Sequence, residues 1–218
     1  MTSAANFLPV SPVYEFQAPE HLVDIALALK DNSDTEVIDL HIGSYFRVKD
    51  VDLNYSFYDS ELYAWFNQCL KSVADIEYTE DIELVITECW IARLNKFQRV
   101  RKHNHMNSVL SGIFYLTDHD DISTNIYKEN WFSRPNTSIR LSQKGREALK
   151  GSIHSKKGKL VLFPSHLIHD TDPNLSSDPR LTMVFNTFVS GNILNTTHFL
   201  SINTIGVEMA YKNKKGIL

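Results

Sequence analysis

Cysteine is scarce in this 218-residue chain: Cys69 and Cys89 are the only two. Two thiols without CxxC spacing build neither a disulfide framework nor a zinc ribbon. Both lie in apolar segments, which predicts buried, unreactive thiols. A basic excess is also missing. Lys and Arg total 22 against 26 Asp and Glu, a formal charge of −4. That balance lacks the electrostatic footprint of a nucleic-acid binder, so no nucleic-acid partner is expected. The one basic run of note, Lys212-Asn213-Lys214-Lys215, reads as a solvated tail. No apolar run approaches the ~20 residues of a membrane span. The start, Met-Thr-Ser-Ala-Ala-Asn-Phe-Leu, has neither the charged nor the long apolar region of a signal peptide. These gaps predict a soluble, cytoplasmic protein with no membrane partner. Internal repeats and low-complexity tracts are missing too.

What is present suits one globular domain. Hydrophobic content of 43% and charged content of 22% are ordinary, and a chain this long buries a core without staples. Residues 7 to 16 read as an extended entry strand that its prolines keep off a central position. A helix is predicted over 19 to 31, with Pro19 and Glu20 in its first turn and His21 toward solvent. A short strand at 36 to 42 carries His41, read as a hydrogen-bonded structural histidine. A second helix is predicted over 57 to 75, capped by Asp59-Ser60-Glu61, with a buried stripe through Leu62, Trp65, Phe66, Cys69, Leu70 and Val73. Near residue 82 the apolar period falls from 3.6 toward 2. Strands are expected at 83–94, 109–117, 123–127, 137–141, 158–163, 167–171 and 180–189, with a helical turn or two at 143–149. The expected class is α+β and mostly β: a two-sheet sandwich or barrel over 82–189, helices packed on one sheet face, and an extension from 190 to 218.

Chemistry concentrates in residues 101 to 116. His103 and His105 are i and i+2, so on extended backbone both imidazoles aim at one point. Imidazole is the commonest metal ligand; the bland alternative is two loop histidines on a basic surface. A second apolar run, from Gly158, ends in His169, with His166 competing for the same role. Arg180 then opens a strand on which Arg180, Thr182, Val184 and Asn186 share one face. Leu181, Met183 and Phe185 take the other face and are expected to pack against the second sheet. A guanidinium on the mixed face needs an anion. That anion is either a bound carboxylate or a protein partner such as Asp178.

These residues, taken together, resemble the 2-oxoglutarate/Fe(II)-dependent oxygenases of the prolyl-hydroxylase-like group, found in bacteria and phages. The resemblance runs through Trp90, His103-Asn-His105, Ser111-Gly-Ile-Phe-Tyr115-Leu, Gly158-Lys-Leu-Val-Leu-Phe-Pro-Ser, His169 and Arg180-Leu-Thr-Met-Val-Phe-Asn186. It covers roughly residues 7 to 189. It implies a double-stranded β-helix, or jelly roll, with iron at one open end. It implies oxidation of a second substrate by O2, coupled to decarboxylation of 2-oxoglutarate to succinate. By resemblance His103 and His169 ligate Fe(II), Arg180 pairs with the distal carboxylate of 2-oxoglutarate, and Tyr115 shares that carboxylate. One position departs from the pattern. The usual facial triad is two histidines and a carboxylate, and His105 stands where the carboxylate is expected. Either His105 is a third ligand, or it sits behind the ligands and water takes the open position. A carboxylate from Glu88 or Asp170 is a further option, and the sequence favours neither. The rivals are a three-histidine cupin-type dioxygenase or isomerase that uses no 2-oxo acid, and a non-catalytic jelly-roll module. Loops at 43–56 and 118–136 are expected to form the rim that selects a peptide, an amino acid or a polar metabolite.

Overall fold

Ser60 sets the start of the longer helix. Its Oγ accepts the backbone N–H of Tyr63 at 3.2 Å, an N-cap that places the first helical turn at Glu61 rather than at residue 57. The computed structural model describes residues 13–32, 57, 60–77, 82–127, 150–194 and 199–204, and the backbone pairing of strands at 3–5, 35–40 and 43–48. Its helices are α1 (Glu20–Asn32) and α2 (Glu61–Glu77). His21 lies on the solvent side of α1 as expected, and its ring meets Glu61 at 2.9 Å.

The described residues form twelve strands, in chain order β1 (Ser3–Ala5), β2 (Val13–Gln17), β3 (Thr35–Leu40), β4 (Gly43–Val48), β5 (Ile82–Leu94), β6 (Leu110–Tyr115), β7 (His119–Tyr127), β8 (Lys150–Ser155), β9 (Lys159–Pro164), β10 (His169–Thr171), β11 (Arg180–Leu194) and β12 (Phe199–Ile202). The larger sheet runs β1-β2-β9-β6-β11-β5-β4-β3, with β12 added to β11; the smaller runs β10-β7-β8. The protein is thus mostly β, two antiparallel sheets with two helices in the N-terminal part of the chain, as the residue pattern and the resemblance imply.

Two cores flank the large sheet. On its outer face the stripes of α1 and α2 cover Leu181, Met183 and Phe185 of β11, Phe114 of β6 and Leu160 and Leu162 of β9. The Phe66 ring lies 4.8 Å from Phe185 and 5.5 Å from Phe114. This corrects the expectation for Leu181, Met183 and Phe185, which pack beneath the helices and not against the second sheet. An apolar strand face needs only an apolar partner, and the helix stripe supplies it. On the inner face Ile113, Tyr115, Val161, Phe163 and Val184 meet Ile126 and Ile153 of the small sheet.

Two stretches expected as rim loops are partly strand. Residues 43–48 form β4, paired to β3 and β5, and residues 119–127 form β7, the middle strand of the small sheet. Strand β8 was not expected at all. The strand at 137–141, the turn at 143–149, His41, the prolines of the entry segment, the rim positions at 49–56 and 128–136 and the basic tail lie outside the described residues. Among the described residues no helix is long and apolar enough to cross a membrane.

Candidate metal centre and anion pocket

The cavity between the sheets is floored by rows that the strand register fixes. Asn186 of β11 pairs with Glu88 of β5 and Ser111 of β6; Val184 with Trp90 and Ile113; Thr182 with Ala92 and Tyr115; Arg180 with Leu94. Alternation puts these residues on the face opposite the helices. A β-bulge between Asn186 and Thr187 shifts the register of β11 against β5 just beyond the first row. Arg180 and Asn186 therefore mark opposite ends of one inward stripe.

The histidines stand over this floor. His103 pairs with His169 through two backbone bonds, at 3.0 and 2.9 Å, and the His105 N–H donates to the Ser165 carbonyl at 3.0 Å. The segment from 103 to 105 is thus extended, and its i, i+2 imidazoles converge as the spacing predicts. Ring centroids are 4.2 Å apart for His103 and His169, 5.0 Å for His105 and His169, and 5.1 Å for His103 and His105. One nitrogen from each ring lies within 4.8 Å of the others. His166, the competing candidate, is exposed and takes no part.

Hydrogen bonds fix the tautomers. His103 Nδ1 faces the Arg101 carbonyl at 2.8 Å, His169 Nδ1 faces the Leu167 carbonyl at 3.0 Å, and His105 Nδ1 bonds Asn186 Oδ1. Each of these oxygens only accepts, so each Nδ1 carries the hydrogen and donates it. In neutral rings every Nε2 is then bare. Yet His103 Nε2 and His105 Nε2 are only 3.2 Å apart. Two lone pairs at that distance repel unless a cation lies between them. Two nitrogens bound to one first-row ion at about 2.1 Å stand roughly 3 to 3.5 Å apart, so the donor set fits a divalent metal. Burial, then the proximity of His103, pushes the His169 pKa down to about 3. Burial also lowers that of His105, against the hydrogen bond it donates to Asn186. Both rings are held in the neutral form that ligation needs. Among the described residues no carboxylate joins the cluster. Glu88 bonds the Asn186 side-chain amide, and Asp170 bonds Asn125 and Tyr127.

At the other end of the stripe Arg180 is 3% exposed. Its Nη2 donates to Thr124 Oγ1 at 2.9 Å, its guanidinium carbon lies 5.2 Å from the centre of the Tyr115 ring, and its Nε has no partner. Among the described residues no carboxylate pairs with it, Asp178 included. Burial lowers its pKa, opposed by Tyr115 and Asp172. Tyr115, fully buried, donates its hydroxyl to the same Thr124 oxygen at 2.8 Å. Thr124 thus accepts two bonds, which leaves its own hydroxyl hydrogen for a further acceptor. Sequence reasoning missed Thr124; its only signal was membership in an expected strand. One opening is lined by Trp90, Thr124, Arg180 and all three histidines.

The cavity between the sheets thus carries a candidate metal centre, the histidine cluster, at one end and a buried arginine, without a carboxylate partner among the described residues, at the other. Residues 88–186 match the family described as "Putative 2OG-Fe(II) oxygenase". The solved structures agree on the fold. An oxidoreductase of the 2OG-Fe(II) oxygenase family from Burkholderia pseudomallei aligns with TM-score 0.57 at 13% identity, over 80% of this chain and 83% of that one. SnoN, a non-heme alpha ketoglutarate dependent epimerase from nogalamycin biosynthesis, aligns with TM-score 0.56 at 12% identity, over 89% and 87%. A Pseudomonas putida prolyl-4-hydroxylase aligns with TM-score 0.51 at 16% identity, over 81% and 93%. Among curated proteins none matches this chain in sequence.

Proposed function

We propose that the chain is a 2-oxoglutarate-dependent dioxygenase in which His103, His105 and His169 hold Fe(II) through Nε2 and Arg180 receives the distal carboxylate of 2-oxoglutarate. The reaction is hydroxylation of an organic substrate, with one oxygen atom of O2 entering that substrate and the other entering succinate. Bound iron supplies the oxidising chemistry, and the protein supplies position and charge. Arg180 offers the planar fork that suits a carboxylate. Thr124 adds its free hydroxyl hydrogen to the same anion. Tyr115 holds Thr124 in place through its hydroxyl, and its ring lies beside the guanidinium. Trp90, stacked on His105 with ring centroids 5.8 Å apart, closes one side of the opening.

The observation that carries this reading is the Arg180 side chain, buried without an anion. Desolvating a guanidinium is costly unless a negative charge meets it, and among the described residues none does. A three-histidine oxygenase that uses no 2-oxo acid would share the neutral donors but would have no use for Arg180. Succinate release from 2-oxoglutarate by the Fe(II)-loaded protein, across a panel of peptides, amino acids and polar metabolites, is the direct test. The expected outcome is substrate-stimulated succinate formation. Protein that retains its metal but neither binds nor consumes 2-oxoglutarate would hand the case to the 2-oxo-acid-free rival.

A further inference from the structure

A set of three neutral imidazoles brings no charge to a divalent ion, whereas a two-histidine, one-carboxylate set brings one negative charge. The first row of the cavity floor holds a carboxylate one residue removed from the cluster. Glu88 Oε1 accepts a hydrogen bond from Asn186 Nδ2 at 2.6 Å. Asn186 Oδ1 in turn accepts from Ser111 Oγ at 2.7 Å and from His105 Nδ1. We propose that Glu88 and Asn186 are positioning residues for the metal: Glu88, acting through the Asn186 amide, fixes His105 with a bare Nε2 and places at one remove the negative charge that His105 itself does not carry. The proposal rests on the metal reading above.

The argument is one of donor and acceptor count. An Asn amide has two ends, one that only donates and one that only accepts. A carboxylate beside it accepts only, so the NH2 end must face Glu88. The oxygen is thereby turned toward His105, whose Nδ1 must then be the donor, and the bare lone pair moves to Nε2. Without the carboxylate either orientation of the amide is available. An NH2 group facing His105 would strip Nδ1 of its hydrogen and put one on Nε2, where it blocks a ligand. Ser111 reinforces the first orientation, and Ser165 Oγ lies 2.8 Å from Ser111 Oγ behind it. Asn186 is 4% exposed and Ser111 fully buried, so no water competes for the amide. The strand geometry serves the same end. The register pairs Glu88 with Asn186 directly, and the bulge that follows shifts the register only after this row. Trp90 stacks on His105 with the ring planes 25° apart, which limits tilting of the imidazole. Glu88 itself is exposed at the cavity edge. Solvent screens its charge, so orientation of the amide contributes more than the direct field.

The relay is tested by metal affinity in the full chain, without turnover. Co(II) is titrated against a chelating dye, and its visible spectrum reports the donor set. Residues that orient metal ligands typically change affinity by about 10- to 100-fold. Glu88→Gln is expected to weaken Co(II) by about tenfold, while the melting temperature of the metal-free protein stays unchanged because the side chain is exposed. Asn186→Asp in the Glu88→Gln background puts a carboxylate directly on the His105 Nδ1–H and is expected to restore affinity to within about threefold of wild type. His103→Ala and His169→Ala serve as the separate check on the metal reading. If they lose Co(II) while Glu88→Gln and Asn186→Ala bind it within twofold of wild type, the relay is wrong and the metal site stands. If the two alanine variants bind Co(II) as wild type does, the metal reading fails and the relay falls with it.

Discussion

Arg180 has five N–H donors to satisfy, and its hydrogen-bond partner in the structure is Thr124. In the proposed site the distal carboxylate of 2-oxoglutarate meets this side chain, and the planar fork matches its shape. Arg180→Lys keeps the charge and loses the bidentate geometry. The expected result is a rise of about tenfold or more in the Kd for 2-oxoglutarate, a loss in line with a charge-assisted hydrogen bond of roughly 1.5–3 kcal/mol, with Co(II) stoichiometry unchanged. Calorimetric titration of the metal-loaded variant measures both; equal 2-oxoglutarate affinity in variant and wild type would remove Arg180 from the site. His169 yields a second prediction, on stability. Its pKa falls from 6.5 to about 3 on folding, through burial first and His103 second. Between those values the unfolded chain binds more protons than the native one, so stability rises with pH across the window. Metal-free protein should therefore lose stability as the pH falls from 6.5 toward 3. His169→Gln should show a shallower loss in denaturant titrations over the same range. Matching slopes would mean that His169 is not neutralised by the fold.

At the scale of the element, β11 carries both cores: one face under the helices, the other as the cavity floor. The sheet can lie close under α2 because Gly112 pairs with Phe185, and a Cβ at Gly112 would stand 2.3 Å from the Phe185 ring. Gly112→Ala should cost about 1–3 kcal/mol, the usual range for overpacking. Phe185→Leu in the same chain should recover part of that loss, which chemical denaturation of the four-member cycle resolves; additive losses would show that the ring is not the obstacle. Elements were legible where the sequence has a period. The stripe of α2 and the alternation of β11 were both plain, and the i, i+2 spacing of His103 and His105 was enough to put both rings on one face. The alternation showed that Leu181, Met183 and Phe185 are buried but not what covers them, because helix and sheet offer the same apolar surface. β8, Lys-Gly-Ser-Ile-His-Ser, offers a single large apolar residue, Ile153, and so gives no alternating signal. The role of Thr124 arises from where β7 crosses β11, and a threonine carries no mark of that. The pairing of Asn186 with Glu88 depends on a register that a bulge shifts, and a bulge of this kind leaves no signature in the residues around it.

For the molecule as a whole, the candidate ligands come from three segments far apart in the chain: the approach to β6, the start of β10 and the start of β11. None of them converge in the unfolded chain, so metal and 2-oxoglutarate should stabilise the native state by mass action. At a hundredfold excess over its Kd a ligand adds about 2.7 kcal/mol. For a chain of this size that corresponds to a Tm increase of roughly 5–10 °C. The two ligands should not act independently. In the proposed site 2-oxoglutarate reaches the metal with its keto-acid end and Arg180 with its far carboxylate. Without metal it keeps only the second of these anchors, and its affinity drops accordingly. The expected thermal-melt pattern with Mn(II) is therefore a clear shift from metal alone, a small shift from 2-oxoglutarate alone, and a combined shift larger than their sum. Linkage makes the coupling reciprocal: 2-oxoglutarate should tighten Mn(II) by the same factor by which Mn(II) tightens 2-oxoglutarate. Arg180→Lys should shrink the combined shift and leave that of the metal alone intact. A 2-oxoglutarate shift of equal size with and without Mn(II) would mean that the co-substrate does not bridge the histidine cluster and the arginine.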